Sequence, residues 1–206
     1  PPSDGVPELK RAVTQFYRQA LALDYPQDGI LIAGGARPLI YALFRAVLDP
    51  GDKVVYPVPS WNNNHYCHLA AARDVAVETK AENGFQPTAA ELAPHLADAR
   101  LLALNSPLNP AGTGFSREQL QAIAQLVVDE NRRRGPGAKP LFLLYDQIYW
   151  LLAASSAPHT TPVELVPEVA PYTLMIDGIS KAFAATGLRV GWAIGPPFLI
   201  SRMKDF

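Results

Sequence analysis

Short apolar runs alternate with segments of helical period along this chain, and few folds accommodate that order. Ile30–Ala33, Lys53–Tyr56, Asp74–Thr79, Arg100–Leu104, Pro140–Tyr145, Tyr172–Ile176 and Val190–Ile194 have the length and apolar character of strands. Helices are expected over Glu8–Leu23, Arg37–Leu48, around His65 and His68, and over Thr88–Ala97, Ser116–Arg134 and Pro196–Met203. The clearest is Ser116–Arg134, with Ser116 and Gln119 in capping-box spacing and Leu120, Ile123, Leu126 and Val127 on one face. Strands that alternate with helices pair in parallel, because each helix carries the chain back across the sheet. An α/β fold with a mostly parallel sheet is therefore expected.

The bulk numbers fit a soluble globular chain. The 206 residues are 49% hydrophobic and 18% charged, enough for one sizeable core. A formal charge of −1 argues against a nucleic-acid or anionic-membrane surface, both of which need concentrated Lys and Arg. Arg132-Arg133-Arg134 closes a helix, where cations are favoured for a structural reason. Cys67 stands alone, so neither an intrachain disulfide nor a cysteine-based metal site forms. Together with the lack of an opening signal peptide, this leads us to expect the cytoplasm. His65 and His68 are spaced like a metal pair without a third ligand, so no metal is expected. The chain opens on Pro1-Pro2 and stops on Lys204-Asp205-Phe206 inside a helical pattern, so it is expected to be part of something longer.

Several loops at strand ends carry residues suited to chemistry. Ile30–Ala33 runs into Gly34-Gly35 and then a helix, which leaves backbone N–H groups free at a helix N-terminus, a phosphate-binding geometry as well as a plain tight turn. Trp61 follows Pro57 and Pro59 and is either core or a platform for a flat ring. Asn105-Ser106-Pro107-Leu108-Asn109-Pro110-Ala111-Gly112 is a turn at a strand's C-terminal edge, where α/β sheets place ligands. Asp146 ends a strongly apolar strand, where an unpartnered carboxylate is costly, and Tyr149 lies three residues on. The stretch Ser180–Gly191 sets Lys181 among small and apolar neighbours and then brings Arg189. In that setting the ammonium should be desolvated and partly neutral, ready to attack a carbonyl. Arg189 is a fixed cation suited to a phosphate dianion.

The stretch SKAFAATGLRVG resembles the lysine signature of the class I/II aminotransferases, the fold-type-I pyridoxal-phosphate-dependent family, and the similarity extends from Gly5 to about Met203. The resemblance implies a three-layer α/β/α fold. Residues 1–206 would then form the large cofactor-binding domain, without the family's N-terminal arm and C-terminal small domain. It also implies the cofactor, pyridoxal 5'-phosphate, and a role for each residue. Lys181 holds the cofactor as a Schiff base and moves the substrate's proton. The amides of Gly35, Ala36 and Arg37, with Arg189, take the phosphate. Trp61 stacks on the ring, Asn109 and Tyr149 bond its phenolic oxygen, and Asp146 keeps its ring nitrogen protonated. Two positions depart from the family pattern: Ala111 replaces the more usual Thr, and Gly178 stands where Ser or Thr often adds a phosphate ligand.

The activity implied is transfer of an amino group between an amino acid and a 2-oxo acid, in a homodimer that shares its active sites. The carboxylate-binding arginine would lie outside this chain. β-Lyases and synthases use the same frame, and an aminotransferase-like ligand-sensing module of a transcription regulator is a rival of another class. A nucleotide-binding α/β domain is disfavoured by the absence of GxGxxG and GxxxxGK[ST] patterns.

Overall fold

A computed structural model describes residues 2–153 and 158–206. In chain order the elements are α1 (Pro7–Leu21), β1 (Ile30–Ala33), α2 (Ala36–Val47), β2 (Lys53–Val58), α3 (Asn63–Leu69), β3 (Arg73–Glu78), α4 (Ala89–Leu96), β4 (Ala99–Asn105), α5 (Arg117–Arg134), β5 (Phe142–Asp146), α6 (Pro162–Leu165), β6 (Thr173–Gly178), α7 (Ile179–Ala182), β7 (Gly191–Ile194) and α8 (Pro197–Met203). The strands form one seven-stranded sheet in the order β1-β7-β6-β5-β4-β2-β3. Only β7 runs antiparallel, against both β1 and β6. A sheet covered on both faces needs apolar residues on both, and it has them. Val55, Leu102, Leu143, Tyr145 and Met175 pack with α1, α4 and α5, while Val54, Leu101, Leu144, Leu174 and Ile176 pack with α2, α3 and α8. The result is the three-layer α/β/α arrangement.

Helix starts follow the sequence. Ser116 and Gln119 close a capping box on α5, and Thr88 with Glu91 does the same on α4. Arg133 and Arg134 both reach back to Glu130, and Arg134 also donates to the Leu96 and Ala99 carbonyls, so the basic run is structural. The end of β2 differs from the sequence expectation for a physical reason. β2 continues through Pro57 to Val58, because its pairing with β4 ends at Val55 and Leu102. Beyond that point β2 keeps β3 as its partner, and a residue without an N–H is tolerated there. No helix among the described residues is long and apolar enough to cross a membrane.

Candidate active site

The C-terminal ends of the central parallel strands bring the singled-out residues to one edge of the sheet. β4 ends at Asn105, whose side chain bridges two neighbours: its Oδ1 accepts from the Asn109 amide at 2.7 Å, and its Nδ2 donates to the Asp146 carbonyl at 2.9 Å. β5 ends at Asp146, paired with Ile176 of β6. The following turn places Tyr149 so that Asn109 Nδ2 donates to its hydroxyl at 3.3 Å. Lys181 lies on α7, directly beyond β6, with its Nζ 5.8 Å from the centre of the Tyr149 ring. Asn109, Tyr149 and Lys181 therefore converge, and Asp146 sits at the root of the same turn.

The carboxyl of Asp146 is closely surrounded, and burial pushes it up to about 7. The Ile148 amide, 3.1 Å from Oδ1, pulls it back, and the nearby Asp177 adds to the rise. The Tyr149 hydroxyl is raised as well, first by burial and then by the Asp146 charge.

A second cluster forms at β1 and α2. Gly35 precedes α2 with φ +105°, a backbone that favours glycine, and a Cβ there would collide with the Arg189 guanidinium. Arg189 is anchored by donating to the Gly34 carbonyl at 2.9 Å and the Thr186 carbonyl at 3.0 Å. The Gly35 amide is turned to the Ala33 carbonyl at 2.7 Å. The free donors at this helix start are thus the amides of Ala36 and Arg37, since Pro38 has none and no side chain caps the helix. The Arg37 guanidinium stands 5.8 Å from the Trp61 ring centre, and Trp61 is 54% exposed.

Two expectations from sequence change: the Gly35 amide is not free for a phosphate, and Lys181 is not buried. Lys181 is exposed, not desolvated, because its small neighbours Ala184, Thr186 and Gly187 are exposed too and cover nothing. The glycine at position 178 has a packing cause. A Cβ there would lie 2.8 Å from the Val190 carbonyl oxygen and 2.9 Å from the Gly191 Cα, so a Ser or Thr would force β6 and β7 apart.

A cavity of about 820 Å³ opens on the other side of Asn109 and Tyr149, lined also by Phe115, Arg117, His159 and Thr160. Asp146, Lys181, Trp61 and Arg189 are not among its walls, so it is adjacent to the cluster and not its centre. His65 and His68 are both exposed.

Sequence reasoning missed the layer beneath. Asp177, 1% exposed, accepts from the Tyr17 hydroxyl and from Trp150 Nε1, each at 2.7 Å. The cue that singled out Asp146, a carboxylate after an apolar strand, applies equally to Asp177. It was hidden because the strand was expected to stop at Ile176.

The chain matches the family described as Aminotransferase class I and II over residues 1–206. It is 32% identical over 206 residues to an aspartate aminotransferase of Bacillus sp. (strain YM-2), covering 99% of this chain and 50% of that protein. It is 34% identical over 202 residues to one of Rhizobium meliloti, covering 97% of this chain and 47% of the relative. Among solved structures, the aspartate aminotransferase from Rhizobium meliloti superposes with a TM-score of 0.91 at 32% identity, over 98% of this chain and 49% of that one. The aromatic aminotransferase from Pyrococcus horikoshii gives 0.91 at 27% identity, over 100% of this chain and 53% of that one. The chain thus spans about half the length of the relatives it matches.

Proposed function

The chain belongs to the class I and II aminotransferase family, whose members depend on pyridoxal 5'-phosphate, and from that premise we propose that it is the cofactor-binding part of an aminotransferase that moves an amino group between an amino acid and a 2-oxo acid. The relatives' names favour transamination over lyase, synthase or sensor readings. The observation that carries the proposal is the donor set, whose members suit the parts of the cofactor one by one. Arg189 and the free amides of Ala36 and Arg37 suit a phosphate, and the hydroxyl of Tyr149 with the amide of Asn109 suits a phenolic oxygen. Trp61 suits a flat ring, and the closely surrounded Asp146 suits a ring nitrogen that carries a proton.

When bound, the cofactor supplies the electron sink for the pair left on a substrate's Cα. The protein supplies the rest. The Lys181 amine would hold the cofactor covalently and, once freed by the substrate's amino group, would carry the proton from Cα to the cofactor carbon on the far side of the shared nitrogen. Asp146 keeps a proton on the ring nitrogen, and Tyr149 and Asn109 orient the phenolic oxygen. Arg189 and the α2 amides hold the phosphate end fixed, so the ring cannot drift between half-reactions.

Two further parts of the reading concern the whole protein. We infer a homodimer with shared active sites, supported by the exposed apolar groups around the cluster, Trp61 at 54%, Phe183 at 66% and Leu188 at 70%. A cytoplasmic location is supported by the single, buried, unpaired Cys67. The chain is taken as the large domain, with the substrate-carboxylate arginine outside it.

The test is to load the full-length protein with pyridoxal 5'-phosphate and add amino acids singly, aspartate first. The proposal expects the visible band of the lysine-bound cofactor to be replaced by that of its aminated form, with a 2-oxo acid released. A protein that forms no such band with the cofactor would overturn it.

A further inference from the structure

Behind the candidate site, on the opposite face of the sheet, lies a second carboxylate that the proposed chemistry does not use. Asp146 is paired with Ile176, whose side chain packs toward α2, so the next residue, Asp177, projects toward α1. There Asp177 Oδ2 accepts from the Tyr17 hydroxyl and from Trp150 Nε1, each at 2.7 Å, and its Oδ1 accepts from the Gly178 amide at 2.7 Å. The Tyr17 oxygen in turn accepts from Gln147 Nε2 at 3.0 Å and from Trp192 Nε1 at 3.2 Å. Gln147 Oε1 faces His159 Nε2 at 3.2 Å.

The direction of these bonds decides the charge. With both lone pairs of Tyr17 taken by N–H donors, its hydrogen can go only to Asp177. Every partner of Asp177 is thus a donor, and a protonated carboxyl would put a hydrogen where nothing accepts it. The network is complete only around an anion. The groups bonded to Asp177 are Tyr17 from α1, Trp150 from the turn after β5 and the Gly178 amide; Gln147 and Trp192 join through Tyr17, and His159 through Gln147. Burial pushes the Tyr17 hydroxyl well above its ordinary value and the His159 ring down to about 4, so both stay neutral. Asp177 itself is raised by burial to about 6, with its donors pulling it back, and is ionised at neutral pH.

The network around Asp177 reaches three segments that carry candidate site residues. Gln147 follows Asp146, Trp150 follows Tyr149, and Gly178 leads into the turn of Lys181. We propose that Asp177 is a positioning residue for the cofactor's ring. It ties these three segments together, and its fixed negative charge behind Asp146 strengthens the hold on a proton at the ring nitrogen. In the cofactor-free site two neighbouring carboxylates oppose each other's ionisation. A cationic ring nitrogen at Asp146 relieves that opposition, so the pair favours the protonated ring over the neutral one.

The inference rests on the cofactor reading above, and the experiment separates the two. Full-length protein is loaded with cofactor carrying an isotopically labelled ring nitrogen, and the protonation of that nitrogen is followed by NMR as pH rises. If wild type forms no lysine-bound band, the cofactor reading fails. If the band forms, Asp177→Asn should lower the ratio of protonated to unprotonated nitrogen about tenfold at a fixed alkaline pH. Tyr17→Phe, which keeps the carboxylate but removes one donor, should lower it less, about threefold. Should Asp177→Asn fail to fold or load, Tyr17→Phe carries the test alone. A wild-type ratio in either loaded variant overturns the inference, because a scaffold role would weaken loading without moving that proton.

Discussion

Asp146 and Lys181 leave neighbouring strands of one sheet, yet the chain finishes one end of the site and leaves the other open. Asp146 closes a strand that has strands on both sides, its carboxylate closely surrounded and backed by the Tyr17–Asp177 network. Lys181 rides a four-residue helical turn beside Phe183, Leu188 and Arg189, all exposed. The acid end is made by strand pairing, which one sheet completes alone. The amine end is made by a loop whose apolar side chains are left uncovered by the described residues.

The sharpest way to break this contrast is at the lysine. Lys181→Ala should erase the visible band of the loaded protein and lower turnover by roughly 10³ or more, because it removes both the covalent link and the proton carrier. An unchanged spectrum would remove Lys181 from the account. Asp146→Ala should lower turnover by about 10²–10⁴ while cofactor still binds, a split visible by comparing kcat with cofactor affinity. Near-normal turnover would take Asp146 out of the mechanism.

Smaller effects sharpen the comparison. Gly35→Ala places a Cβ against Arg189 at positive φ. It should cost about 1–3 kcal/mol of stability and weaken phosphate-end affinity about tenfold, measured by thermal melts and cofactor titration. The acid end also has a signature without cofactor. The Asp146 carboxyl is raised to about 7, so the folded state holds its proton more tightly than the unfolded chain does. Its contribution is fully present below the ordinary carboxylate value and lost as pH rises through about 7. Asp146→Asn should therefore stabilise the cofactor-free protein at pH ~8 by on the order of 2 kcal/mol, allowing for partial exposure, and give little at pH ~4. Equal melting shifts at both pH values would contradict the burial described. Tyr149→Phe, which removes one partner of Asn109, should have the smallest effect, about fivefold in kcat/KM.

The fold was legible because period and punctuation agree along the chain. Ser116 and Gln119 announce α5, and the apolar runs of β5 and β6 are too short for helices. Pro57 misled the reading locally, since a missing N–H ends pairing only where a second neighbour needs it. The candidate site residues stood out as motifs at strand ends, but their environment was not legible. The small residues around Lys181 suggested burial, whereas burial depends on what packs over a loop, and a linear sequence does not reveal that. Asp177 escaped notice because its partner Tyr17 is 160 residues away, and a hydrogen bond across that separation leaves no local pattern.

The most direct test of the central claim, that one tethered ring lies between Lys181 and Asp146, is chemical mapping. Full-length protein loaded with pyridoxal 5'-phosphate is reduced with borohydride, digested, and its labelled peptide identified by mass spectrometry. The account predicts stoichiometric label on the peptide carrying Lys181, lost in the presence of excess amino donor. Label on another lysine, or spread among several, would contradict it.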